Sequence, residues 1–156
     1  MLKKLISSAS ALKPFDTRST SIIRTDASNV GLGVVLLHYH QKKEVIIADA
    51  SRPLRKEEIT YSPIEKEALA CWWGVNHFRR FVWATTFEIR THHRPLFDIL
   101  ISRGIDKVSP RISKWVLRMM EFTYEIVFVP GKKNVIADCL SRLPCNNANQ
   151  GDMNDD

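Results

Sequence analysis

The feature that most constrains this chain is a set of three short apolar runs followed by one long, well-capped helix. Ser21-Ile22-Ile23-Arg24-Thr25 is β-branched and ends at Asp26, and Asn29 and Gly31 mark a turn. Gly33 to His38 is a second apolar run, Gln41-Lys42-Lys43 a polar turn, and Glu44 to Ala48 a third run. Connections this short join antiparallel neighbours, so the first third of the chain predicts a three-stranded meander. A helix over 63–81 follows a polar connection. Ser62 at its N-cap, Pro63 at its first position and Glu65 three residues after Ser62 form a capping box.

Phe87 to Thr91 and Tyr124 to Val129 predict a fourth and a fifth strand, the latter stopped by Pro130-Gly131. Shorter helices are expected over 95–101, 111–122 and 134–143. Leu2 to Leu12 shows mixed helical spacing that Pro14 ends, and reads as the trailing part of something upstream. The order βββαβααβα predicts an α/β fold, a five-stranded mixed sheet flanked by helices, its first three strands antiparallel. Residues 19–144 are expected to form the domain, after an upstream segment at 1–18 and before an acidic tail at 145–156 whose Asn, Asp, Gln and Gly predict disorder.

Charge narrows the partner. The net charge is +6, but the tail holds Asp152, Asp155 and Asp156 without a basic residue. Residues 1–144 therefore carry 23 basic and 14 acidic residues, a net +9. A domain this basic suits a polyanion, phosphate backbones first, although a generic solubility charge explains the number as well. Cys71, Cys139 and Cys145 show neither zinc spacing nor a C-x-x-C pair, and reduced cysteines point to an intracellular protein. No stretch approaches the roughly 18 apolar residues of a membrane span.

Glu67 is the anomaly. At about 100° per residue, Ile64, Cys71, Gly74, Val75, Phe78 and Phe81 share one face of the long helix, and Glu67 sits in its middle. Glu65 falls nearly opposite, with a capping role to occupy it. An ionised carboxylate on an apolar face is costly unless it is paired, with Arg24 for instance, or bound to metal. Asp26 at a strand end and Asp138 on the last helix are ordinary alone, as turn and surface residues. Converging at one sheet edge with Glu67, they would form an oxygen-rich cluster suited to Mg2+ or Mn2+.

The ordered blocks Arg24-Thr25-Asp26-Ala27-Ser28, Ala50-Ser51-Arg52, Glu65-Lys66-Glu67-Ala68-Leu69-Ala70, His77-Phe78-Arg79-Arg80-Phe81, Arg90-Thr91 through Arg94-Pro95-Leu96, Val129-Pro130-Gly131-Lys132-Lys133-Asn134 and Ala137-Asp138-Cys139-Leu140-Ser141-Arg142 carry a resemblance. Over roughly residues 5–144 the chain resembles the RNase H domain of gypsy-type LTR-retrotransposon reverse transcriptases. The resemblance implies an RNase H-like fold that hydrolyses the RNA strand of RNA–DNA hybrids, using two Mg2+ ions, with Mn2+ as a possible substitute. It also implies that residues 1–18 end a connection segment, and that a polymerase and connection domain of the same polyprotein is a partner. Asp26, Glu67 and Asp138 would be the metal ligands.

A fourth carboxylate is expected where this chain has His92. A neutral imidazole offers one nitrogen and no charge in place of two anionic oxygens, so Mg2+-dependent cleavage is expected to be weakened. A catalytically inactive module that binds nucleic acid or protein is the alternative reading. Lys132, Lys133, Arg94, Lys42 and Lys43 are the candidate phosphate contacts. His93 belongs to the usual block and is no substitute, and Asp98 reads as solvated surface. The four tryptophans are expected in the core or at a domain interface.

Overall fold

The computed structural model describes residues 15–102 and 104–130. The helix expected over 134–143, the tail and the N-terminal helical run lie outside the described residues, as do Asp138, Lys132 and Lys133. Five strands form one sheet in the order β3-β2-β1-β4-β5. These are β1 (Thr20–Ala27), β2 (Gly31–His40), β3 (Lys43–Pro53), β4 (Thr86–Thr91) and β5 (Thr123–Phe128). β1, β2 and β3 pair antiparallel, while β4 pairs parallel with both β1 and β5. The mixed sheet with an antiparallel first half is thus as expected.

The hairpin between β2 and β3 turns through Gln41 and Lys42, both with positive φ (47° and 61°). Two left-handed residues in succession match the right-handed twist of the strands on either side. β3 continues past Ala48 to Pro53, because Ser51 and Arg52 stay in register with Gly33 and Leu32. The connection to the helix is correspondingly shorter and contains a 3-10 turn at Glu58–Thr60.

α1 (Pro63–His77) starts with the expected capping box: Ser62 Oγ accepts from the Glu65 N–H and Glu65 Oε2 accepts from the Ser62 N–H. The helix over 63–81 does not run through. Phe78, at φ −95° and ψ 19°, separates α1 from a four-residue turn of helix, α2 (Arg79–Val82). Phe78 and Val82 are buried and Phe81 packs beside them, so the apolar spacing reported burial on both sides of the bend and not a continuous backbone. α3 (Arg94–Ser102) and α4 (Pro110–Met119) complete the described elements. No helix among the described residues is long and apolar enough to cross a membrane.

The main core lies where α1, α3 and α4 cover one face of the sheet, and includes Ile23, Val34, Leu36, Val75, Ile89 and Val116. A smaller cluster of Ile22, Val35 and Leu37, with Ile46 against it, lies apart from it. Alternation along β1 and β2 assigns these two sets to opposite faces. Trp115 is in the core and Trp72 and Trp73 are half-buried, whereas Trp83 is 49% exposed and stacks edge-on against Phe122, with the Arg79 guanidinium 4.5 Å from its ring centre.

α1 approaches the sheet closely at Gly74. A Cβ there would lie 2.8 Å from Val34 Cγ1 and 3.3 Å from Thr25 Cγ2. Only glycine permits this spacing, because Val34 and Thr25 are themselves fully buried. Gly74→Ala is expected to lower stability despite the roughly 1 kcal/mol by which alanine favours a helix, since overpacking a dense core costs about 1–3 kcal/mol. Gly74→Val should cost more than Gly74→Ala. Urea unfolding of the two variants beside the native chain measures both.

Candidate metal centre at the sheet end

Asp26 is the penultimate residue of β1. The parallel register of β1 and β4 aligns Ile22 with Glu88 and Arg24 with Arg90. Two residues further along that register, Asp26 falls beside His92, the first residue after β4. His92 Nε2 lies 3.1 Å from Asp26 Oδ1. Glu67, on the second turn of α1, comes to the same place because Cys71, one turn later, packs on β1, with its Sγ 3.2 Å from Thr25 Oγ1. One ligand atom from each of Asp26, Glu67 and His92 lies within 4.8 Å of the others. Asp26 and Glu67 are buried, 1% and 6% exposed, and the His92 side chain is 27% exposed.

Residues chosen from sequence thus converge across 66 positions, and Glu67 is well inside rather than at a rim. Arg24 donates to Glu44 on β3, 2.8 Å away, and Arg90 bonds the same carboxylate. Burying two carboxylates side by side is expensive, and a divalent cation is the usual remedy in an oxygen-rich pocket. The donor set fits one such ion: two donors about 2.1 Å from a cation and at right angles are about 3 Å apart, close to the His92–Asp26 spacing.

The neighbours have structural tasks. His93 caps α3, its Nδ1 accepting from the Leu96 N–H at 3.3 Å while its own N–H donates to Thr91 Oγ1 at 3.1 Å. Burial, with His92 adding to it, lowers the His93 pKa and so favours the neutral ring that this cap requires. Burial pushes the Cys71 thiol up to about 12, the Glu67 charge acting in the same sense against the Thr25 hydrogen bond, so Cys71 is a packed thiol and not a nucleophile. Asp98 is exposed and pairs with Arg94, 3.2 Å away, at the helical i,i+4 spacing.

Glu65 is less detached than its position opposite Glu67 suggested. It is 9% exposed, and Arg111 of α4 lies 3.5 Å from its Oε1. α1 is therefore covered on two sides, by the sheet and by α4, which a single-face reading of its spacing could not anticipate.

Of the candidate phosphate contacts, Arg94 opens α3 two residues from His92 and is exposed. Lys42 and Lys43 are exposed at the far end of the sheet, roughly 25 Å from Asp26 by strand rise, and are not part of this cluster. Two pairs at the near end were not anticipated. Lys66, buried between two glutamates in sequence, reaches Asn29 Oδ1 at 3.4 Å in the turn after Asp26. Arg52 forms a two-pronged bond with buried Glu58 (2.7 and 3.0 Å), whose Oε2 also accepts from the Arg55 N–H at 2.8 Å. In the run Lys56-Glu57-Glu58 nothing local distinguishes Glu58 from its exposed neighbour.

Comparison with known proteins identifies the family and the fold. The family described as the RNase H-like domain found in reverse transcriptase matches residues 16–122, and the chain belongs to it. It is 39% identical over 123 residues to the retrovirus-related Pol polyprotein from transposon opus of Drosophila melanogaster, covering 78% of this chain and 12% of that polyprotein. The chain therefore spans about an eighth of that relative's length and is a retroelement RNase H-like domain. Among solved structures it is similar to RNase H1 of the halophilic archaeon Halobacterium salinarum NRC-1, with a TM-score of 0.60 and 18% identity over 78% of this chain and 93% of that one. It is equally similar to LC11-RNase H1 in complex with an RNA/DNA hybrid, with a TM-score of 0.60 and 21% identity over the same shares of 78% and 93%. At these identities the likeness shows the fold.

Burial pushes the Glu58 carboxyl up, but the Arg52 and Arg55 bonds outweigh it and leave the pKa below the ordinary 4.5. A lowered folded-state pKa adds stability above the unfolded value, and that stability is lost as pH falls through the folded one. Arg52→Leu is expected to strand Glu58 and cost about 2–4 kcal/mol at neutral pH. The deficit should shrink as pH falls, because the stranded Glu58 of the variant, its pKa raised by burial, protonates before the native one does. Urea unfolding of native and variant chains at about pH 7 and about pH 4 tests the sign.

Proposed function

We propose that this chain is a metal-dependent ribonuclease domain that hydrolyses the RNA strand of RNA–DNA hybrids, with His92 impairing its action with Mg2+. The convergence of Asp26, Glu67 and His92 at one end of an RNase H-like sheet carries this reading. Family membership and the hybrid held by LC11-RNase H1 support the substrate. Asp26 and Glu67 would hold the metal, with Asp138 as the further ligand implied by the family motif. Divalent cations bound there would stabilise the charge developing at phosphorus and lower the pKa of the attacking water.

The chain's own residues supply placement. Asp26 is held by a strand paired on both edges, and Glu67 by a helix that Gly74 lets lie against the sheet, so both carboxylates are fixed before substrate arrives. Arg94, exposed near His92, would meet a backbone phosphate, and the basic surface predicts an affinity that falls steeply with salt. The 2′-hydroxyls and intermediate groove shape of a hybrid would identify the strand to cut. A polymerase and connection domain of the same polyprotein is the proposed partner, in keeping with the small share of the opus polyprotein that this chain spans.

One observation favours a second reading. His92 closes on Asp26 at 3.1 Å, and a hydrogen bond there occupies an oxygen the metal needs. The chain would then bind nucleic acid without cutting it.

Cleavage of an end-labelled RNA–DNA hybrid in Mg2+ separates the two. Under the hydrolase reading, His92→Asp should cut at least about tenfold faster than the native chain, about 1.4 kcal/mol in barrier. Asp26→Asn, placed in the His92→Asp background, should abolish that activity. Hybrid binding at low salt with no cleavage by the native chain, and cleavage appearing only in His92→Asp, would establish the binding module instead.

A further inference from the structure

His92 gives the cluster an imidazole in place of a carboxylate. The orientation of its ring says more. We propose that His92 Nε2 is itself a ligand, and that Asp26, Glu67 and His92 form a site for a single divalent transition cation of the Mn2+, Co2+ or Zn2+ class in preference to Mg2+. The proposal rests on the metal-dependent reading above and names the cation that this version of the site selects.

Two features carry it. The first is geometric. A histidine placed at this position only to fill space could turn its polar edge to solvent, which is within reach because the side chain is 27% exposed. Instead Nε2, the nitrogen at the far tip of the ring, faces the buried Asp26 carboxylate at 3.1 Å. That is about the edge of a coordination polyhedron for donors about 2.1 Å from one ion. One ligand atom from each of the three side chains lies within 4.8 Å of the others, close enough to share one ion.

The second feature is chemical. Compared with a carboxylate at the same position, the His92 imidazole supplies a nitrogen donor and one negative charge fewer, with or without Asp138 in the set. Mg2+ favours a full set of oxygens and parts with its water reluctantly. Imidazole nitrogen suits the later first-row ions, and affinity for a mixed nitrogen and oxygen site rises from Mn2+ onward through Co2+. Exchanging one oxygen ligand for nitrogen therefore weakens Mg2+ twice, through lost charge and through donor type. For a transition cation the second of these effects is reversed.

Mn2+ is the probe of choice, because its electron spin resonance reports both affinity and ligand. The purified 156-residue chain, His92→Asp and Asp26→Asn would each be titrated with Mn2+, and bound Mn2+ then displaced with Mg2+. The native chain is expected to prefer Mn2+ over Mg2+ by about tenfold more than His92→Asp does. Bound Mn2+ should show nitrogen hyperfine coupling in pulsed spectra of the native chain and lack it in His92→Asp. Asp26→Asn should lose the tight binding. The coupling is read on the native protein, so the test holds even where a variant fails to fold. Equal discrimination by the native chain and His92→Asp, with no nitrogen coupling, overturns this proposal and leaves the metal-dependent reading standing. Failure of Mn2+ to bind the native chain at all, or undiminished binding by a folded Asp26→Asn, overturns both.

Discussion

The close approach of α1 to the sheet is the contact on which the rest depends. Gly74 leaves no atom between the helix backbone and the Val34 and Thr25 side chains, and Cys71, one turn earlier, sits against Thr25. A helix held this close and at this angle delivers its second turn to the end of β1. Glu67 therefore meets Asp26, although 41 residues separate them. A larger side chain at Gly74 would lift the helix and move Glu67 with it, so core packing and site geometry are the same constraint seen from two ends of one helix.

The electrostatics of the site then follow from topology. β4 inserts parallel to β1, which sets Arg90 beside Arg24 and His92 beside Asp26. The arginine pair shares Glu44 on β3, so positive charge in the middle of the sheet meets a carboxylate of its own. The two buried carboxylates at the sheet end gather instead around an imidazole. A mixed donor set of this kind is costly as bare charge and useful only when something cationic completes it. His92 is thus the imidazole against which the buried Asp26 carboxylate rests.

Much of the fold was legible because its signals are local. β-branched runs, turn residues and the Ser62–Glu65 capping box act within a few residues, so all five described strands and the three longer described helices stand where the sequence placed them, within a few residues. The departures have physical reasons. β3 outlasts its apolar run because hydrogen bonds to β2 hold polar Ser51 and Arg52 in the sheet. The helix over 63–81 divides at Phe78 because apolar spacing records which residues are buried and not whether the backbone turns. Glu65 is covered by α4, and Glu58 is buried by Arg52, because a neighbour arriving from elsewhere in the chain supplies the partner.

By itself the sequence determined the order of elements, the family and the one carboxylate on an apolar face, since periodicity, capping and motif order need no knowledge of distant contacts. Tertiary structure alone decided which atoms meet. It placed His92 Nε2 against Asp26, gave His93 to the cap of α3, and set Lys42 and Lys43 at the end of the sheet away from the cluster. Strand register and helix packing fix such distances, and both arise from pairings between residues far apart in the chain, which no local pattern encodes.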